Sequence, residues 1–160
     1  MNKTKLRIIL VISVIIWMGV IYFFSDMPGK TSTKKSVKLI DSTITVTVNN
    51  KVVNGEMSEK SIYRLAKKID YPFRKCMHVC EYFVLAFLVL NTLYVFDFNK
   101  KKKYIFSFII CLLYACSDEY HQLLVQRTCK VSDVFIDMIG VIVAFVLYTI
   151  VFNKYNKKES

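Results

Sequence analysis

Glycine, proline and histidine are scarce: the 160 residues include 4 Gly, 2 Pro and 2 His. So little Gly and Pro excludes a linker-like or low-complexity architecture, and no internal repeat is present. The five cysteines, Cys76, Cys80, Cys111, Cys116 and Cys129, are odd in number and include no C-x-x-C pair. That argues against a zinc ribbon or a thioredoxin-like redox site. Inside an apolar helix such cysteines act as small hydrophobic residues. Cys76 and Cys129 fall at one end of their helices, which leaves a bridge between them open.

Hydrophobic residues, in contrast, are abundant. They make up 54% of the chain, the mean hydropathy is +0.38, and four apolar runs approach the roughly 20 residues that cross a bilayer. A soluble protein of this length rarely carries several such runs. The expected fold is therefore all-α, an integral membrane bundle of four transmembrane helices forming a single domain over 1–160. The helices are expected at about 6–24, 72–96, 104–125 and 132–152. The first follows a basic start and imitates a signal peptide. Its core is too long, however, and Phe23-Phe24-Ser25 offers no small-x-small cleavage site, so it reads as an uncleaved anchor.

Residues 25–71 form the polar loop between helices 1 and 2. Pro28-Gly29 breaks the chain after the first span. Ile44, Val46 and Val48 alternate with threonines and suit a short hairpin. Ser58 suits the cap of an amphipathic helix with Ile62, Leu65, Ala66 and Ile69 on one side. Pro72 is a natural first-turn residue for the second span.

The net charge of +11 does not point to nucleic acid. Its lysines flank apolar segments, as at Lys100, Lys101, Lys102 and Lys103, where they act as topology signals and contacts to anionic membrane lipids. Both basic tails and the short 97–103 turn place the N and C termini in the cytoplasm of a multi-pass cell-membrane protein. The 25–76 loop carries eleven Lys/Arg of its own, but its length weakens their vote.

Within this apolar background both histidines sit beside carboxylates. The first group is His78-x-x-Glu81, and the second is Asp118-Glu119-Tyr120-His121-Gln122. Alternating helices carry Ser25, His78, Glu81, Asp118, Glu119, His121, Asp133 and Asp137 to one membrane face, while the lysine clusters take the other. Asp118 lies fourteen steps from Tyr104, or about 21 Å into a hydrocarbon core of about 30 Å. His78 and Glu81 share a helix side; so do Asp118, His121 and Gln122, with Glu119 on their shoulder. Asp133, Asp137, Gly140 and Ala144 form a stripe whose small residues allow close helix contact. The tyrosines at 71, 82, 94, 104, 120 and 148 read mostly as interfacial aromatics. Ionisable groups inside a membrane are costly, and such a cluster points to a functional polar pocket.

These residues fall in an order that resembles the VanZ-like family of small bacterial membrane proteins. The matching pieces are Phe24-Ser25 with Pro28-Gly29, then Arg74-Lys75-x-x-His78-x-x-Glu81-Tyr82, Ser117-Asp118-Glu119-Tyr120-His121-Gln122, Arg127, and Asp133-x3-Asp137-x2-Gly140. One departure is the Val125-Gln126 pair before Arg127, where the family typically has a Pro-Gly or similar turn. The resemblance implies a cell-envelope protein, because the namesake is associated with antibiotic resistance of the teicoplanin type. Possible partners are lipid-linked cell-wall precursor or the glycopeptide itself, with Arg127 as an anion-binding residue. An alternative is a membrane-embedded hydrolase or transferase, with His78, Glu81, Asp118 and His121 as candidate ligands of a divalent metal. A proton- or ion-coupled transporter is a third class, which four short helices would require to be oligomeric.

Overall fold

The computed structural model describes residues 2–26, 38–39, 42, 59–124 and 130–156. Among them the regular structure is all helical, and four long helices form an antiparallel bundle. The short hairpin expected around Ile44, Val46 and Val48 lies outside the described residues.

Helix α1, Lys3–Ser25, is capped by Asn2, whose side chain accepts from the Thr4 N–H at 3.1 Å. It is apolar on nearly every side. Only Ile21 and Ser25 are fully buried, while Ile8, Ile12, Ile15, Ile16 and Phe23 face outward. A helix that is greasy all round while lying at the edge of a bundle suits lipid contact.

Helix α2, Glu59–Val95, runs straight past Pro72. The second span was expected to begin at Pro72, with a separate amphipathic helix before it; the two are one continuous element. Pro72 removes one backbone hydrogen bond. Across that gap Asp70 and Arg74 pair at 3.2 Å, an i,i+4 clamp bridging the turn that contains the proline. The side chains of Ile62, Leu65 and Ala66 lie outside the described residues.

The turn between α2 and helix α3, Lys100–Leu124, is a Schellman motif. Phe98 N–H donates to Leu93 O at 3.1 Å and Asp97 N–H to Tyr94 O at 3.0 Å, with Asp97 at φ 62°. Arg7 of α1 holds this turn by donating to Val95 O at 3.0 Å and pairing with Asp97 at 2.9 Å. Helix α4, Val131–Asn156, completes the bundle and carries Asp133 in its first turn, where the helix dipole favours an acid.

Three of these helices contain stretches long and apolar enough to cross a membrane: Lys3–Ser25, Lys68–Val95 and Val131–Val151. Helix α3 has the length but is less apolar. Its first turn carries four lysines, and its last turns carry Asp118, Glu119, His121 and Gln122. Most of those acids and amides point inward, so their polarity is hidden from the surroundings.

Helix α2 touches each of the other three and meets α4 most extensively. The core joins Tyr82, Leu85, Ala86 and Val89 of α2 with Cys111 and Ala115 of α3, Met138, Val141 and Ala144 of α4, and Ile21 of α1. At Gly140 the backbone of α4 lies directly on α2. A Cβ added there would stand 2.1 Å from the Val79 carbonyl oxygen and 3.0 Å from Phe83 N. No side chain fits that gap, so the two helices approach as closely as glycine permits. The expected Asp133–Asp137–Gly140–Ala144 stripe thus exists, and it faces α2.

Substituting Gly140→Ala should force the helices apart and lower stability in detergent by about 1–3 kcal/mol. The same change at Gly19, which has nothing within 4 Å of the added carbon, should cost nothing and can gain up to about 1 kcal/mol in helix propensity. Unfolding of both variants checks the pair; equal effects would contradict the close approach.

Candidate functional site

The antiparallel order brings the last turn of α1, the early part of the α2 span, the end of α3 and the start of α4 to one end of the bundle. Each contributes buried polar side chains: Ser25 from α1, Glu81 from α2, Asp118, Glu119 and Gln122 from α3, and Asp133 and Asp137 from α4. His78 lies beside them, its side chain 14% exposed. Five carboxylates are therefore withdrawn from solvent within one end of a small bundle.

Defined contacts tie the helices together. The Lys75 ammonium of α2 makes an ion pair with Asp133 of α4. Gln122 donates to Asp118 Oδ2 at 3.0 Å and to Ser25 Oγ at 3.3 Å, linking α3 to α1. Glu119 Oε1 accepts the backbone N–H of Lys130 at 2.7 Å, which fastens the approach to α4. Trp17 Nε1 donates to Glu81 O at 2.9 Å, and the Tyr114 hydroxyl donates to Met18 O. These bonds hold the frame in which the acids sit.

The electrostatic neighbourhood shows that the groups converge. Asp137 feels the charges of His78, Asp118, Glu119 and Lys75. His78 feels Glu81, Asp137 and Asp118. The Tyr82 hydroxyl faces the charges of Asp118, Asp137 and Glu81. Buried charges at such range interact far more strongly than in water and need partners.

Several of the buried atoms have none. Asp118 Oδ1, Glu81 Oε2, His78 Nδ1 and the Tyr82 hydroxyl make no hydrogen bond. Of these, His78 Nδ1 and Glu81 Oε2 face each other at 3.0 Å as an ion pair, which leaves Asp118 Oδ1 and the Tyr82 hydroxyl without a partner. An orphaned buried polar atom costs roughly 1–3 kcal/mol. Two such atoms at one end of the bundle suit a site prepared for something that hydrogen-bonds to it.

His121 takes a different position from the one expected. It stacks on Tyr22 of α1, ring centroids 4.4 Å apart, and its Nε2 lies 3.1 Å from Asp26 Oδ1. The inward arc of α3 runs through Ser107, Cys111, Ala115, Asp118, Glu119 and Gln122. At about 100° per residue this arc puts Glu119 nearer its centre than His121, so the two exchange the places assigned from spacing. Arg127 lies outside the described residues, as does Cys129; the four described cysteines are free thiols. Among the described residues, no group of three or more His, Cys, Asp or Glu comes together closely enough to hold a metal ion. His78, Glu81 and Asp118 share the site, whereas His121 is engaged with Asp26.

Sequence reasoning missed Tyr82, which is 0% exposed in the core rather than interfacial. Its spacing from Lys75 and His78, i+7 and i+4, was the available signal, since all three fall on one side of α2. Tyr148 is likewise buried, whereas Tyr94 and Tyr120 are exposed in keeping with an interfacial role. The Trp17 bond to a backbone carbonyl has no signature in the sequence.

Two phenylalanine substitutions separate a site hydroxyl from a structural one. Tyr114→Phe should cost about 1 kcal/mol by removing its bond to Met18 O, whereas Tyr82→Phe should be neutral or stabilising because its hydroxyl has no partner to lose. Unfolding in detergent measures both; a larger loss for Tyr82→Phe would show that its hydroxyl serves the fold.

Comparison with curated proteins and with solved structures finds no significant match. A family model described as VanZ/LLP1 does match, over residues 10–152. That interval contains every residue of the buried cluster, from Ser25 to Asp137. The chain belongs to the VanZ/LLP1 family.

Proposed function

We propose that this membrane protein binds an amphiphilic, membrane-resident ligand at the buried His/Asp/Glu site, and that through it the cell envelope alters its response to teicoplanin-type glycopeptides. The ligand is lipid-linked cell-wall precursor or the drug itself. One observation carries this reading: Asp118 Oδ1 and the Tyr82 hydroxyl are buried without hydrogen-bond partners, beside the His78–Glu81 ion pair. A purely structural cluster would satisfy its own polar atoms. A binding site leaves them for the ligand.

Placement supports the same reading. We infer from the short basic segments, including the 97–103 turn, that the termini and the lysine end are cytoplasmic. The polar site then faces the outer leaflet, where wall precursors and glycopeptides meet. The hydrolase or transferase reading draws less support, because the metal-ligand geometry it invokes is not assembled among the described residues.

Deleting the chain from a cell that expresses it should lower the teicoplanin concentration that inhibits growth. Wild-type protein should restore the original value. An Asp118→Asn/Asp137→Asn variant present in the membrane at normal level should not. An unchanged inhibitory concentration on deletion would remove the resistance role.

A further inference from the structure

Beside the polar site, an apolar groove of 610 Å³ runs between α3 and α4, with Leu112, Val134, Phe135, Met138 and Ile142 in its walls. Among the described residues, Glu119 is the one acid lining it. The same residue is buried and lies within the electrostatic reach of Asp137. The groove and the site therefore meet at Glu119, with a hydrocarbon-lined wall on one side of it and orphaned polar atoms on the other.

The charge of the site selects among head groups. Lys75 is engaged with Asp133. Among the described residues, Asp118, Glu119 and Asp137 have no cation at ion-pair distance. Asp118 and Asp137 are each only 4% exposed, so water does little to screen them. The unpartnered Asp118 Oδ1 and Tyr82 hydroxyl can both accept a hydrogen bond. A head group whose only charge is a phosphate or carboxylate would meet like charge here. A quaternary ammonium would bring charge but no donor. A primary ammonium brings one positive charge and three N–H donors.

We propose that this site takes a membrane lipid whose head group carries a primary ammonium, seated among Asp118, Glu119 and Asp137 with a hydrocarbon chain in the α3–α4 groove. This rests on the reading above that the buried site binds an amphiphilic, membrane-resident ligand, and it assigns a ligand other than the precursor or drug named there. Glu119 has a double role: Oε1 accepts the Lys130 N–H and fixes the groove wall, while its charge draws the ammonium. Glu119→Gln retains an oxygen for Lys130 and removes only the charge; Asp118→Asn likewise retains an acceptor for Gln122.

The test uses the full chain purified in detergent and mixed with equal amounts of phosphatidylethanolamine, phosphatidylglycerol and phosphatidylcholine of identical acyl chains. Retained lipid is read by native mass spectrometry. Wild type should retain phosphatidylethanolamine over either competitor by roughly tenfold, the effect of one hydrogen bond between charged partners. Asp118→Asn/Glu119→Gln should still hold lipid but lose the preference. Ile142→Trp, which fills the groove, should lower retention of all three alike.

Equal or greater retention of phosphatidylglycerol or phosphatidylcholine by wild type would overturn the ammonium assignment and leave lipid binding intact. A preference that survives in the double variant would overturn it too. Unchanged retention in Ile142→Trp would remove the chain from the groove. A wild-type protein that retains no lipid of any kind would overturn the ligand-binding reading as well.

Discussion

The contact of α4 with α2 at Gly140 sets the spacing on which the polar end of the bundle depends. With a Cβ position only 2.1 Å from the Val79 carbonyl oxygen, the backbones meet with no side chain between them. One turn away from that contact, Asp137 comes within the electrostatic reach of His78; two turns away, Asp133 meets the Lys75 ammonium. Ala144 and Val141 continue the contact into the core. A wider crossing would replace this buried network with water or lipid.

Burying five carboxylates beside one lysine and one histidine runs against the main energetic trend in membranes, where ionised groups are expensive and partners are sought. The bundle meets part of that cost internally, through Lys75–Asp133, Gln122–Asp118 and the Lys130 N–H on Glu119. Glu81 faces His78 at 3.0 Å, and the rest is left open at Asp118 Oδ1 and the Tyr82 hydroxyl. Residues whose sum is unfavourable in isolation become favourable when a complementary group enters, which is how a preorganised site gains affinity. The outer surface follows the opposite rule: Ile15, Ile16, Leu113, Phe135 and Ile150 are all exposed, matching a hydrocarbon solvent.

Helix number, order and the end of the bundle that carries the acids were legible in the sequence, because apolar runs of span length and alternating direction leave few alternatives. The Asp133–Asp137–Gly140–Ala144 face was legible for the same reason, since four-residue spacing fixes a side. Less was readable where a local rule competes with tertiary contact. Pro72 suggested a start, but the Asp70–Arg74 pair carries the helix across it. His121 and Glu119 are two residues apart near the edge of an arc, and a small rotation decides which one enters; the Tyr22 ring and Asp26 captured His121. Tyr82 resembles an interfacial tyrosine in composition, and its place became clear only once α3 and α4 closed around it.

At the buried end, α2 and α4 hold opposite charges face to face through Lys75 and Asp133. A charge exchange measures that directly. Lys75→Asp and Asp133→Lys should each lower the unfolding temperature in detergent, and the double variant should recover most of the loss because the pair is rebuilt with its signs reversed. Losses that simply add in the double variant would contradict the juxtaposition, and with it the convergence of the site.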